Sequence, residues 1–172
     1  MLDIDIQGDI AVLAMNRPEK RNAICDELLE RIDGFFRHVP DGVKVAVLCG
    51  RGGHFCSGLD LSEHVQRDAE GTMRHSRNWH AIMDTIQFGG LPVVSAMTGA
   101  VIGGGLELAT ATHVRIAEPS VIFQLPEGRR GIYVGGGASV RVSRIIGADR
   151  MTEMMLTGRK YDAAEGLALG LT

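Results

Sequence analysis

The amino-acid sequence predicts an α/β fold with mainly parallel strand pairing. Short apolar runs typical of buried strands alternate along the chain with longer segments whose apolar residues recur at helical spacing. Three clusters of glycine, at residues 50–58, 99–105 and 128–137, separate these segments. When strands and helices alternate in this way, successive strands usually pair in parallel through crossover connections. The glycine clusters then mark loops gathered around a site.

The first half of the chain predicts a hairpin, a helix and a strand. Residues 2–6 alternate between apolar and polar side chains, a turn follows at residues 7–9, and residues 10–15 are apolar. Between residues 22 and 38, apolar side chains recur at helical spacing, and Pro40, Asp41 and Gly42 end this helix. Residues 43–49 are apolar enough to predict a buried strand.

The next segment, residues 61–88, is polar and predicted to be mostly helical, with a break at Gly71. Trp79 lies in this segment together with three histidines, and we expect a solvated or mobile face there; the histidines are His64, His75 and His80. The remaining chain predicts strands at 93–97 and 113–117, a helix at 103–112, a short extended piece at 121–123, and helices at 138–146, 150–156 and 163–169.

Composition narrows the class of protein. At 172 residues, 45% apolar and 23% charged, the chain fits one ordinary globular domain spanning residues 1–172. The formal charge of −3 and the absence of a basic cluster beyond Arg129 and Arg130 disfavour nucleic acid as a partner. No apolar run is long enough to span a membrane, and no secretory signal is visible. Three cysteines without metal-ligand spacing indicate a reduced, cytoplasmic protein with no metal site.

Two glutamates are the main candidates for chemistry. Glu107 follows three glycines at the start of a predicted helix, and Glu127 follows Pro126 in a loop. The unpaired N–H groups and positive dipole end of a helix start suit an anionic oxygen. Two carboxyl groups in different surroundings can divide acid and base roles. Two alternatives stand beside this interpretation: the glycines form only tight turns, and Glu107 only stabilises the start of its own helix.

Four sequence blocks, in this order and spacing, resemble the crotonase superfamily, which is also called the enoyl-CoA hydratase/isomerase superfamily. They read NRPEKRNA at 16–23, GHFCSGLDL at 53–61, GGGLEL at 103–108 and FQLPE at 123–127, and MMLTGR at 154–159 is a fifth match. The resemblance implies a spiral of repeated ββα units. Family members continue beyond residue 172, so it also implies that most of the C-terminal helical region is missing from this chain.

The resemblance implies roles for particular residues. The oxyanion hole falls on the backbone N–H groups of Leu59 and Gly104, which stabilise the enolate-like oxygen of an acyl thioester. The catalytic pair is Glu107, for a water molecule, and Glu127, for a proton, although the sequence alone does not divide the two roles. Residues at the coenzyme A positions are, besides Gly104, Arg21, Ala23, Ser57, Leu59, Asp60 and Leu61. Two of these have an alternative: Arg21 as a solvated surface arginine, and Asp60 as the cap of a helix starting near Leu61.

The implied activity is that of an enoyl-CoA hydratase, which adds water to a 2-enoyl-CoA and gives a 3-hydroxyacyl-CoA. It needs no metal or redox cofactor, because coenzyme A is part of the substrate. An enoyl-CoA isomerase and a non-catalytic acyl-CoA-binding or assembly protein are the alternatives. Chain length of the acyl group stays open, since Val134 replaces a common proline and Arg129 and Arg130 replace a more apolar stretch.

The resemblance also implies an assembly. Relatives form trimers or hexamers, with much of the subunit contact made by the C-terminal region, and we expect the same of this protein where that region is present. Without it, apolar surface is expected at four leucines, Leu156, Leu167, Leu169 and Leu171.

Overall fold

The computed structural model describes residues 1–62 and 67–172, which form eight strands and six helices in those ranges. The strands are β1 (Leu2–Gln7), β2 (Ile10–Met15), β3 (Val45–Gly50), β4 (Val93–Met97), β5 (Ala100–Ile102), β6 (Val114–Ala117), β7 (Ile122–Gln124) and β8 (Lys160–Asp162). The helices are α1 (Asp26–Arg37), α2 (Ala69–Phe88), α3 (Gly104–Ala111), α4 (Ala138–Ile146), α5 (Ala148–Thr157) and α6 (Ala163–Ala168).

The strands form two sheets, and the two strands of each ββα unit belong to different sheets. One sheet has the order β1-β2-β3-β4-β6, with β1 and β2 antiparallel and the other pairs parallel. The second sheet has the order β5-β7-β8. In the units β4-β5-α3 and β6-β7-α4, the first strand joins the first sheet and the second strand joins the second sheet. The predicted α/β class with mainly parallel pairing is therefore confirmed, as is the hairpin of β1 and β2.

Helix α1 begins four residues later than its apolar spacing predicts. Asn22 has a left-handed backbone with φ of 57°, which a helix does not accept. Its side-chain oxygen accepts the N–H of Arg17, and its amide nitrogen donates to the carbonyls of Arg51 and His54. Ile24 pairs with Leu59 in a short bridge. These long-range bonds hold residues 22–25 as a loop, so the prediction of helix there was wrong.

Helix α2 also differs from its prediction. It begins at Ala69, where the carboxylate of Asp68 accepts the N–H of Gly71 at 2.7 Å and so caps the helix. Gly71 therefore lies in the first turn and is not a break. Residues 63–66, including His64, lie outside the described residues. Trp79 is only 5% exposed, so the expectation of a solvated face is wrong at this position.

The four C-terminal leucines behave differently from one another. Leu156 and Leu167 are 60% and 68% exposed, as expected. Leu169 is half-buried against the core, and Leu171 is completely buried, so exposure of Leu171 was wrongly predicted. None of the helices within 1–62 and 67–172 combines the length and apolar character needed to cross a membrane.

Candidate active site

A cleft of about 950 Å³ opens where the loop before α1, the glycine loop after β3 and the turn after β7 meet. Seven of the predicted site residues line it, namely Arg21, Ala23, Ser57, Leu59, Asp60, Leu61 and Glu127. Gly104 and Glu107 are not among its lining residues. Since Gly103 also lines the cleft, residues from four distant sequence blocks come together there, with Gly104 and Glu107 following Gly103 in the chain.

The cleft is lined by more positive charge than the sequence motifs indicate. Lys20, Arg129, Arg130 and Lys160 line it together with the predicted Arg21. The pair Arg129 and Arg130 is visible in the sequence as a basic cluster, whereas Lys20 and Lys160 have no signal of their own. A concave surface lined by cations attracts phosphate groups.

The backbone nitrogens of Leu59, which lines the cleft, and of Gly104 lie close together, because a methyl group built on Gly104 comes 3.5 Å from the Leu59 nitrogen. A methyl group built on Gly58 comes 2.7 Å from the carbonyl oxygen of Ile102 and 3.2 Å from the nitrogen of Gly104, so the two loops approach only because residue 58 has no side chain. Within the described ranges, neither Leu59 N–H nor Gly104 N–H donates to a protein acceptor. Gly104 is also the first residue of α3, where the helix dipole is positive.

Glu107 lies in the first turn of α3 and is 3% exposed. Its Oε1 accepts N–H groups from another segment, that of Gly136 at 2.8 Å and that of Ala138 at 3.0 Å. Burial raises the pKa of this carboxyl, while the two N–H donors and the nearby His80 and Arg141 oppose the rise. Glu107 thus does more than stabilise its own helix, because its hydrogen bonds join α3 to the start of α4.

Arg141 holds the segment that binds Glu107. Its guanidinium donates to the carbonyl of Gly136 at 3.2 Å, to Gln87 Oε1 at 2.7 Å and to the carboxylate of Asp84 at 2.5 Å. Arg141 is 7% exposed and was not found by sequence reasoning. Nothing in its sequence neighbourhood marks it, since its three partners lie on α2 and in the loop before α4.

Glu127 begins a short 3-10 turn, residues 127–130, and is 7% exposed. Burial raises the pKa of its carboxyl to about 7, the charge of Glu107 adds to the rise, and Arg130 opposes it. A methyl group built on Gly103 comes 2.7 Å from Oε1, so this carboxyl lies against the backbone that precedes Gly104. The other oxygen, Oε2, is buried and accepts no hydrogen bond within the described part of the chain.

Asp60 has a different place from the one predicted. Helix α2 begins at Ala69, so Asp60 does not cap a helix near Leu61. Its carboxylate, 5% exposed, accepts from Arg17 at 2.9 Å and lies 3.3 Å from the ammonium of Lys20. Hydrogen bonds from Ser62 and from these cations hold the pKa of Asp60 well below its usual range. Asp60 therefore ties the loop containing Leu59 to the loop before α1, while also lining the cleft.

The other residues predicted to contact coenzyme A vary in exposure. Arg21 is exposed, with a left-handed backbone at φ of 50°, and Leu61 is 43% exposed. Ala23 is buried, and the hydroxyl of Ser57 donates to the carbonyl of Lys20 at 3.0 Å. Arg21 both lines the cleft and is exposed, which agrees with either interpretation, a phosphate-binding or a solvated arginine.

The fold and the site together define a class of protein: a ββα spiral with a basic cleft, two unpaired N–H groups and two buried carboxyl groups. The sequence model of the enoyl-CoA hydratase/isomerase family matches residues 5–172. The chain therefore belongs to this family, within the crotonase superfamily.

Individual relatives agree with this family. The chain is 34% identical to "Enoyl-CoA hydratase domain-containing protein 2, mitochondrial" of Bos taurus, over 94% of this chain and 56% of the relative. It is 30% identical to "Enoyl-CoA hydratase EchA19" of Mycobacterium tuberculosis, over 98% of this chain and 65% of the relative. The chain thus spans less than two thirds of the length of these relatives.

Solved structures show the same fold. A crystal structure from Rhodopseudomonas palustris CGA009 matches with a TM-score of 0.97 and 50% identity, covering 99% of this chain and 66% of that one. The enoyl-CoA hydratase of Thermoplasma volcanium GSS1 matches with a TM-score of 0.92 and 31% identity, over 99% and 69% of the two chains. The predicted spiral of ββα units is confirmed by these neighbours.

Proposed function

We propose that this protein is an enoyl-CoA hydratase, acting on a 2-enoyl-CoA thioester. The observation that carries the proposal is the pair of unpaired N–H groups, on Leu59 and Gly104, with two buried carboxyl groups beside them. The thioester oxygen accepts hydrogen bonds from both N–H groups, which stabilise the negative charge that develops on it during water addition. Each such donor raises kcat by roughly 10²–10³-fold. The basic cleft holds the phosphates of coenzyme A.

The surroundings of the two glutamates favour a division of their roles. Burial raises the pKa of Glu107, but its Oε1 accepts two backbone N–H groups that oppose this rise, and in the proposed reaction it takes a proton from the attacking water. Glu127, with its pKa raised to about 7, is protonated in a large fraction of molecules at neutral pH and gives its proton to carbon 2. The π bond between carbons 2 and 3 breaks, and a C–O bond to carbon 3 and a C–H bond to carbon 2 form. No metal or redox cofactor takes part in this reaction.

A second candidate, enoyl-CoA isomerase, has one specific observation in its favour. The cleft reaches Glu127 but is not lined by Glu107. An isomerase moves one proton between carbons and needs a single carboxyl group at the acyl chain. The two activities therefore differ in whether Glu107 takes part.

Steady-state kinetics with Glu107→Gln and Glu127→Gln distinguish the candidates. The assay follows the loss of the conjugated thioester absorbance of crotonyl-CoA. We expect the unaltered protein to hydrate this substrate, and kcat to fall roughly 10²–10⁴-fold in each variant. Coenzyme A thioester binding should persist in both, because glutamine keeps the shape of glutamate. Exposed Glu19→Gln is the matched control and should keep full activity.

Two other results support the alternatives. An isomerase is identified if the unaltered protein does not hydrate crotonyl-CoA but isomerises a 3-enoyl-CoA, and if Glu107→Gln isomerises it at the unaltered rate while Glu127→Gln does not. Tight binding of acyl-CoA with neither reaction, in the unaltered protein, rejects both activities and leaves a binding or assembly protein.

The domain, the oligomeric state and the cellular compartment of the protein belong to the same proposal. We take residues 1–172 as one acyl-CoA-binding core domain that forms a homotrimer or hexamer when the remaining third found in relatives is present. The three cysteines, Cys25, Cys49 and Cys56, are free thiols, which supports a reducing compartment such as the cytoplasm.

A further inference from the structure

The single tryptophan of the chain occupies a special position beside the site. Trp79 lies on the buried face of α2, and one edge of its six-membered ring faces two glycines. A methyl group built on Gly104 comes 2.8 Å from Cζ3 and 3.0 Å from Cη2, and one built on Gly136 comes 3.0 Å from Cε3. The indole therefore packs directly on the backbone at both positions, which only glycine permits.

One of these glycines belongs to the proposed oxyanion hole, and the other holds the proposed catalytic base. Gly104 supplies one N–H of the oxyanion hole. Gly136 donates its N–H to Glu107 Oε1 at 2.8 Å, and a methyl group built on it also comes 2.8 Å from Glu107 Oε2. The edge of the Trp79 ring thus extends from the oxyanion hole to the backbone that holds the catalytic base.

The proposed reaction places this position beside the later carbons of the acyl chain. In that reaction the thioester oxygen lies on Leu59 and Gly104, Glu127 protonates carbon 2, and Glu107 activates the water that attacks carbon 3. Carbon 3 and the carbons after it then lie nearer Glu107 than carbon 2 does. The indole fills the space next to Glu107, and the open cleft, lined by Glu127, includes neither Trp79 nor Glu107 in its wall. Close packing around a 5% exposed indole leaves no room for several added methylene groups.

We propose that Trp79 closes the acyl end of the site and restricts the protein to short acyl groups of about four carbons. This inference rests on the proposed function, since it takes the thioester to be bound at Leu59 and Gly104. Trp79 acts as a residue that determines specificity, through shape alone, and takes no part in proton transfer.

Trp79→Leu is the main test variant, and Trp79→Phe is a milder second variant that keeps an aromatic ring. Ile86→Ala is the matched control, because Ile86 is buried on the same helix two turns further along and does not contact either glycine. All variants are first checked for native circular dichroism and cooperative unfolding. Trp79→Phe keeps the test available where Trp79→Leu does not fold.

The first measurement is binding, which needs no turnover. Isothermal titration with the saturated butyryl-CoA and octanoyl-CoA should show that the unaltered protein prefers butyryl-CoA. In Trp79→Leu, we expect octanoyl-CoA to gain at least tenfold over butyryl-CoA, since each methylene that finds apolar room is worth roughly fourfold. Ile86→Ala should leave the ratio unchanged.

The second measurement is the ratio of kcat/KM for 2-octenoyl-CoA to that for crotonyl-CoA, which should rise by a similar factor in Trp79→Leu. Equal binding of both thioesters by the unaltered protein, or an unchanged ratio in folded Trp79 variants, overturns the inference. Absence of hydration with the predicted change in binding overturns the proposed activity and leaves the acyl-length inference standing.

Discussion

The native protein should lose stability as pH rises, because the buried carboxyl of Glu127 ionises. Replacing Glu127 by glutamine should abolish this loss. The pKa of this buried carboxyl is raised from 4.5 to about 7, or by about 2.5 pH units. Between these values the unfolded chain releases the proton and the folded protein keeps it. Stability conferred by the protonated carboxyl is therefore complete below pH 4.5 and is lost as pH rises through about 7.

The size of the effect follows from the shift. At about 1.4 kcal/mol per unit of pKa, a shift of about 2.5 units corresponds to about 3 kcal/mol. Glutamine cannot ionise, so the free energy of unfolding of Glu127→Gln, relative to that of the native protein, should increase by about 3 kcal/mol between pH 4.5 and pH 8.

Urea unfolding followed by circular dichroism at several pH values in this range measures the difference directly. The exposed Glu19→Gln serves as the control and should follow the native protein at every pH. Parallel stability curves for Glu127→Gln and the native protein would refute the reasoning, since they require a Glu127 carboxyl that titrates alike in the folded and unfolded states.

Three further substitutions test the site. Gly104→Val places a side chain within 2.8 Å of the Trp79 ring and disturbs an oxyanion donor, so kcat on crotonyl-CoA should fall roughly 10²–10³-fold in steady-state assays. Arg141→Met removes a cation that lowers the pKa of Glu107, and it also loosens the segment that donates to Glu107. We expect kcat to fall by up to about 10²-fold, and the acidic limb of the profile of kcat against pH to move to higher pH. Asp60→Asn breaks a buried ion pair and should cost about 3 kcal/mol of unfolding free energy at pH 7, a difference that shrinks as pH falls below 3.8.

Each substitution has a matched control elsewhere in the chain. Gly34→Val, Arg144→Met and Asp9→Asn change the same residue types at exposed positions and should have small effects. Native turnover in a folded Gly104→Val protein contradicts the oxyanion hole. An unshifted pH profile in Arg141→Met contradicts the influence of Arg141 on Glu107, and denaturation curves of Asp60→Asn that match those of Asp9→Asn contradict the stabilising ion pair.

Local patterns predicted most of the regular structure. Helix α4 was predicted with its observed bounds, because its apolar side chains recur at helical spacing between Gly137 and Gly147. Prediction failed where distant partners compete with local preference. Residues 22–25 have helical spacing, yet Asn22 is held by the carbonyls of Arg51 and His54. Burial of Trp79 was missed for the same reason, since its neighbours on α2 are polar and its packing partners are Gly104 and Gly136.

The sequence by itself determined the α/β class, the order of the elements and the family, because periodic apolar residues and glycine blocks are local properties that survive without coordinates. It also pointed to Glu107 and Glu127 as candidates. Only the tertiary structure decided which N–H groups stay unpaired, which donors reach Glu107 and what stands beside Gly104. Such facts depend on contacts between residues far apart in the chain, such as Gly136 with Glu107, and burial among those contacts changes the pKa values on which the proposed chemistry rests.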